Sequence, residues 1–285
     1  MSNPESKGTH RKMWWNGIPP KLRGTIWKKA IGNDLEITET TFRIALEKAN
    51  FQIKELGDAA FDGQVELIIE NTKQVFPSLK MFAPAAQSSP SPQTSNTNVE
   101  VEQPLHQDLL NVCLAYSSYR SDVSITNAGI HHIAGLFLLN MSVVDTFTTL
   151  SNLLNRPLPL SFLVRDSTAI TAAYDITLSA LNKKCPNLAT RLADLRVEPR
   201  DYLEPMFSSL FCERLGLEYA ARVMDVYAIE GDKIPPRVAV GVLGLLEGGC
   251  YQGGVEDVVR VLNEKEIRES PDEFMGRVYE AGKSS

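Results

Sequence analysis

No stretch of this 285-residue chain approaches the roughly 18 consecutive apolar residues that a membrane-spanning helix requires. The opening residues, MSNPESKGTHRK, also lack the apolar centre of a secretory signal. Both absences point to a cytoplasmic protein, for which any membrane contact would come through a partner. Clustered positive charge is missing as well. The 29 Lys and Arg residues are outnumbered by 35 Asp and Glu, for a net charge of −6, and they are spread along the chain. Affinity for nucleic-acid phosphates rests on concentrated basic residues, so no nucleic-acid partner is expected.

Close cysteine pairs are absent too. Cys113, Cys185, Cys212 and Cys250 are far apart in sequence, and none of the four histidines has a cysteine at ligand spacing. The expectation is isolated thiols in a reducing compartment and no metal site. There is no Gly-x-Ser-x-Gly elbow and no Walker A loop. The glycine-rich run Gly248–Gly254 follows a helical pattern rather than a strand, so it reads as a flexible loop and not a phosphate cradle. His131 and His132 are adjacent on an apolar helical pattern, where neighbours point about 100° apart and do not readily share a ligand. A partly exposed pair at a groove edge is expected.

Strand signals are also lacking: no sustained period-2 alternation and no hairpin signal occurs. What fills the chain instead is helical periodicity. Leu22, Ile26, Trp27 and Ala30 recur at helix spacing up to the stop signal Gly32-Asn33. Further helices are expected over 38–50, 64–75, 108–120, 127–140, 142–154, 166–182, 188–192, 202–212, 218–230, 237–247 and 255–263. Between them Pro and Gly punctuate loops at Arg156-Pro157-Leu158-Pro159, Glu198-Pro199 and Pro235-Pro236. The fold class is therefore all-α, about a dozen helices in a single domain with no significant sheet. Residues 1–12 read as a disordered lead and 269–285 as a polar tail. A Pro-, Ser- and Thr-rich loop at 83–104 interrupts the domain, which runs over 13–268. Its low-complexity part is too polar to offset the entropy of ordering.

Several motifs resemble one family. Trp15, Gly17, Pro19, Arg23 and Trp27, within WNGIPPKLRGTIW, are similar to the opening signature of TBC domains, the all-helical module that binds Rab GTPases. Arg222 and Asp225, in ARVMDVY, resemble the family's Arg-x-Trp-Asp segment with Met224 in the Trp place. Gly17 and Pro19 suit an entry turn, Trp27 buries a large apolar surface, and Arg23 is expected to meet carbonyls or a carboxylate. A spacing of three places Arg222 and Asp225 on one helix face, where an ion pair is expected. These residues read as scaffold.

The resemblance also implies a chemistry. TBC domains insert an Arg and a Gln into the nucleotide site of the Rab. The Arg fork stabilises charge on the transferring phosphoryl oxygens, and the Gln amide orients the attacking water. Aligned through Phe76-Pro77, Gln74 stands at the Arg position and Asn71 at the Asp that would hold it. Aligned through Gly129, Ala128 stands at the Gln position and Thr126 at the Tyr position. Both catalytic positions are thus degenerate. An arginine finger contributes about 10³–10⁵ in rate, so its loss removes most of the acceleration. The expected partner is a Rab-family GTPase, met through Asn71, Arg120, Asp122, Thr126, Gly129 and His131. No cofactor is expected, since GTP and Mg²⁺ would belong to the partner. Two other readings compete: an active GTPase-activating protein using a non-standard residue such as Arg120, and an unrelated helical solenoid. The second lacks an internal repeat of fixed period.

Overall fold

The computed structural model describes residues 13–56, 64–82, 105–123, 129–264 and 267–283. Among them every regular element is a helix. In chain order these are α1 (Pro20–Ile31), α2 (Glu39–Leu56), α3 (Gln64–Lys73), α4 (His106–Tyr119), α5 (Gly129–Leu138), α6 (Val143–Leu154) and α7 (Pro157–Leu163). They continue as α8 (Ser167–Lys184), α9 (Pro186–Asp194), α10 (Arg200–Ser208), α11 (Leu217–Glu230), α12 (Ile234–Leu246), α13 (Val255–Leu262) and α14 (Pro271–Ala281). Short 3₁₀ turns lie at Pro77–Leu79, Gly231–Lys233 and Glu247–Tyr251.

The local reasons are mostly visible in the sequence. Pro20, Pro157, Pro186 and Pro271 open helices where a missing N–H costs nothing. Asp166 caps α8 by accepting from the N–H groups of Thr168 and Ala169. Thr38 and Thr41 exchange hydrogen bonds at the start of α2, each hydroxyl accepting from the other's N–H at 3.2 Å. That reciprocal pair does the work of a capping box without a Glu.

Several expectations need correction. The Pro157–Pro159 stretch, expected as a loop, is α7, because both prolines fall in a first turn that needs no donor from them. Pro235 and Pro236 open α12 for the same reason. The run Gly248–Gly254, expected as a flexible loop, begins as a 3₁₀ turn with Cys250 buried. The 269–285 stretch, expected as a polar tail, contains α14. Ser270 and Glu273 form a full capping box at its start, and Phe274, Met275 and Val278 are buried. Its polarity is one-sided, the mark of a surface helix with an apolar stripe. The expected lead at 1–12 and the whole of the expected loop at 83–104 lie outside the described residues.

The helices form one contiguous core. Around α4 pack α2, α3, α5 and α6; around α12 pack α8, α11 and α14. Helix α1 joins the two groups by packing on both α6 and α11. At the centre is α5, all ten of whose residues are buried. It contacts α3, α4, α6, α10 and α11. A helix apolar on every side can only be an interior one.

Asp225 on α11 ties the N-terminal segment to the C-terminal half of the chain. Its carboxylate accepts from Ile18 N–H at 2.9 Å, from Trp27 Nε1 at 2.9 Å and from Arg23 Nε at 3.3 Å. Arg23 therefore meets a carboxylate, as expected. Arg222 does not pair with Asp225. It donates to the Trp15 carbonyl at 3.0 Å and to the Asp272 carboxylate on α14. The spacing of three allowed the pair, but Asp225 faces the buried N-terminal segment while Arg222 faces the C-terminal helix.

Candidate functional site

Helices α3, α4 and α5, which carry or adjoin the positions that the sequence singles out, pack on one another. Helix α3 ends at Lys73, and Gln74 follows as an exposed turn residue whose N–H reaches Asn71 O at 3.1 Å. Val75 and Phe76 then plunge back into the core. Phe76 adopts a left-handed backbone conformation with φ 41°, a strained state for a bulky residue that packing must sustain.

That packing is on α5. The Phe76 ring meets His132 edge-on at 5.8 Å, and Val75 presses so near Gly135 that an added Cβ there would lie 2.4 Å from Val75 Cγ1. A second close approach fixes the other end of α5. A Cβ on Gly129 would fall 2.6 Å from Ser209, in the turn after α10. Only glycine fits at either position, so α5 is seated closely against the segment that follows α3 and against the turn after α10. Sequence reasoning missed Val75, His132, Gly135 and Ser209 in this role; the sole signal was the apolar pair Val75-Phe76 directly after an exposed residue.

The groups at the site are poor in free positive charge. Gln74 is neutral, and its side chain hydrogen-bonds to Glu70. Lys73 Nζ is also committed to Glu70, at 3.0 Å. That hydrogen bond, and then the Lys73 charge, hold the Glu70 carboxyl below its ordinary value, so a carboxylate stands one turn from the Arg position at neutral pH. Asn71 is half-buried, and its Nδ2 has no acceptor among the described residues.

Arg120, just past α4, forks onto Asp122 with Nε at 2.7 Å and Nη2 at 2.8 Å. The shared hydrogen bond lowers the Asp122 carboxyl and raises the Arg120 guanidinium. Both donors of the fork are thereby turned toward Asp122. His131 and His132 were expected as a partly exposed pair. Both are buried, because α5 is enclosed on all sides and the first two turns offer no solvent face. Thr126 and Ala128 lie outside the described residues, and so does any side-chain geometry at the Gln position. Gly129, which follows them, is the buried first residue of α5. Among the described residues no group of three or more His, Cys, Asp or Glu side chains is arranged to hold a metal ion, and no helix is long and apolar enough to cross a membrane.

Comparison with known proteins agrees with this architecture. The family model of the Rab-GTPase-TBC domain matches residues 20–248. Human TBC1 domain family member 14 is 30% identical over 251 residues, covering 83% of this chain and 34% of that protein. A TBC domain-containing protein of Schizosaccharomyces pombe is 32% identical over 278 residues, covering 94% of this chain and 55% of that protein. The chain thus spans from about a third to about half the length of these relatives. Among solved structures, the Chlamydomonas flagellar RabGAP TBC domain superposes with a TM-score of 0.70 at 20% identity, covering 98% of this chain and 85% of that one. The Ypt/Rab-GAP domain of Gyp1p gives 0.67 at 14% identity, covering 95% and 90%. At those identities the likeness is one of fold.

Proposed function

Because the chain belongs to the Rab-GTPase-TBC domain family, we propose that it binds Rab-family GTPases and accelerates their GTP hydrolysis weakly or not at all. The single observation that carries the second half is Gln74. It stands exposed at the end of α3, on a turn anchored by Val75 and Phe76, where a guanidinium would be needed. An amide lacks the charge that offsets the developing negative charge on phosphoryl oxygens. Ala128 adds a second loss in the sequence, since a methyl group cannot orient water. Its cellular role on this reading is in membrane traffic, at the cytoplasmic face of endomembranes through its GTPase partner.

The reading in which Arg120 replaces the missing finger has less support. Its guanidinium fork is already spent on Asp122. An exposed pair of this kind is worth at most about 1 kcal/mol, so it parks the side chain without locking it. The decisive experiment is single-turnover GTP hydrolysis across a panel of Rab GTPases, paired with pull-downs on the GTP- and GDP-loaded forms. Wild type should bind at least one member and accelerate none by more than ~100-fold, well short of a working arginine finger. Acceleration beyond that, lost in Arg120→Ala, would establish the rival. Restoring one position alone should recover little. Asn71→Asp, Gln74→Arg and Ala128→Gln together should recover activity, the first because a carboxylate at 71 would pair with an arginine at 74 by charge, which the neutral Asn71 amide does not.

A further inference from the structure

The outward face of α3 continues the site beyond the catalytic positions. Val65, Ile68 and Thr72 turn into the core, leaving Glu66, Leu67 and Glu70 exposed. On a helix of 100° per residue, Leu67 lies about 40° from Asn71 and about 20° from the direction of position 74. It is thus one and two turns upstream on the same face. Leu67 is 40% exposed, and carboxylates flank it: Glu66 beside it, and Glu70 one turn on, kept ionised by Lys73. A lone exposed leucine is ordinary on a protein surface. This one differs in its place, because the Val75 and Phe76 anchors hold the end of its helix rigidly against α5, so the face is presented already ordered. Ordering that is complete before binding leaves less entropy to lose on association.

We infer that this face of α3, with Leu67 as its apolar contact and Glu66 and Glu70 as its polar rim, is a docking surface for the partner GTPase. The surface it fits is an apolar patch bordered by basic side chains. The inference rests on the proposed Rab binding and names a determinant of which GTPase is accepted: one lacking basic residues beside its apolar patch meets Glu66 and Glu70 without compensation.

The test uses the full chain titrated against purified Rab GTPases loaded with a non-hydrolysable GTP analogue. For a panel member that binds wild type, Leu67→Asp should weaken binding at least tenfold and Leu67→Ala by a smaller factor. Charge reversal in Glu66→Lys/Glu70→Lys should weaken binding in a salt-dependent way. Phe51→Asp, on α2 and 65% exposed, serves as the control and should bind as wild type. Thermal melts of all variants should match wild type, since each changed side chain is already exposed. Wild-type affinity in Leu67→Asp would overturn the docking surface while leaving Rab binding standing. Equal weakening by Phe51→Asp and Leu67→Asp would overturn it as well. Failure of wild type to bind any member would overturn both readings.

Discussion

Asp225 shows how much a single side chain carries when donors from a distant segment converge on it. Ile18 N–H, Trp27 Nε1 and Arg23 all donate to its carboxylate, which is wholly buried. Removing one partner of a buried ion pair leaves the other uncompensated, so Asp225→Ala should cost about 3–5 kcal/mol in urea unfolding. A loss under 1 kcal/mol would mean that water replaces the carboxylate freely. Burial raises the Asp225 carboxyl above its ordinary value of 3.8, outweighing the lowering by Arg23 and the donated hydrogen bonds. A raised folded value means that the folded state holds the Asp225 proton more tightly than the unfolded chain does, and the stability gained from protonation is complete below the ordinary carboxylate range. It declines as pH rises through the raised value. The part of the stability curve just above pH 4 should therefore slope downward in wild type and be flatter in Asp225→Asn. The sequence paired Asp225 with Arg222 by spacing alone. Spacing defines which helix face two residues share, and the partner across that face comes from another element.

At the scale of elements, α1, α2, α3 and α6 were legible from apolar residues at helical spacing, and α5 from an unbroken apolar run. Those that escaped, α7 and α14, escaped for different reasons. Helix α7 is seven residues long with two prolines in its first turn, which read as punctuation. Helix α14 has an apolar stripe of only three buried residues among many charged ones. It is nonetheless integral, packing on α11 and α12. At about 1.5–3 kcal/mol for each large apolar side chain buried, Phe274, Met275 and Val278 together contribute upward of about 5 kcal/mol before entropy is counted. A chain ending at Arg268 should unfold at a markedly lower urea concentration. An unchanged midpoint would refute the role given to this helix.

For the whole molecule, the first and last described segments close on one another. The Trp15 ring meets Tyr279 edge-on at 5.0 Å, both Trp14 and Trp15 donate to Glu230, and Arg222 joins the Trp15 carbonyl to α14. The Trp15 contacts link the first described segment to α14, and both stretches lie outside the span matched by the family model. A double-mutant cycle on Trp15→Ala and Tyr279→Ala should return a coupling of about 0.5–1.5 kcal/mol. Strict additivity would show that the ends are stabilised separately.

The all-helical class and the Rab-GTPase-TBC family could be read from the residues, and so could the presence of Gln74 before Phe76-Pro77 on which the proposed loss of activity rests, since periodicity, motif spacing and side-chain identity are local properties of a chain. The burial of His131 and His132, the glycine-tight seating of α5 against Val75 and Ser209, and the exposure of Leu67 beside the site could not. Each depends on which helices surround a given face. That is decided by long-range packing, in which a side chain's environment is supplied by residues distant in sequence, as Gly135 meets Val75 from 60 positions away and Gly129 meets Ser209 from 80.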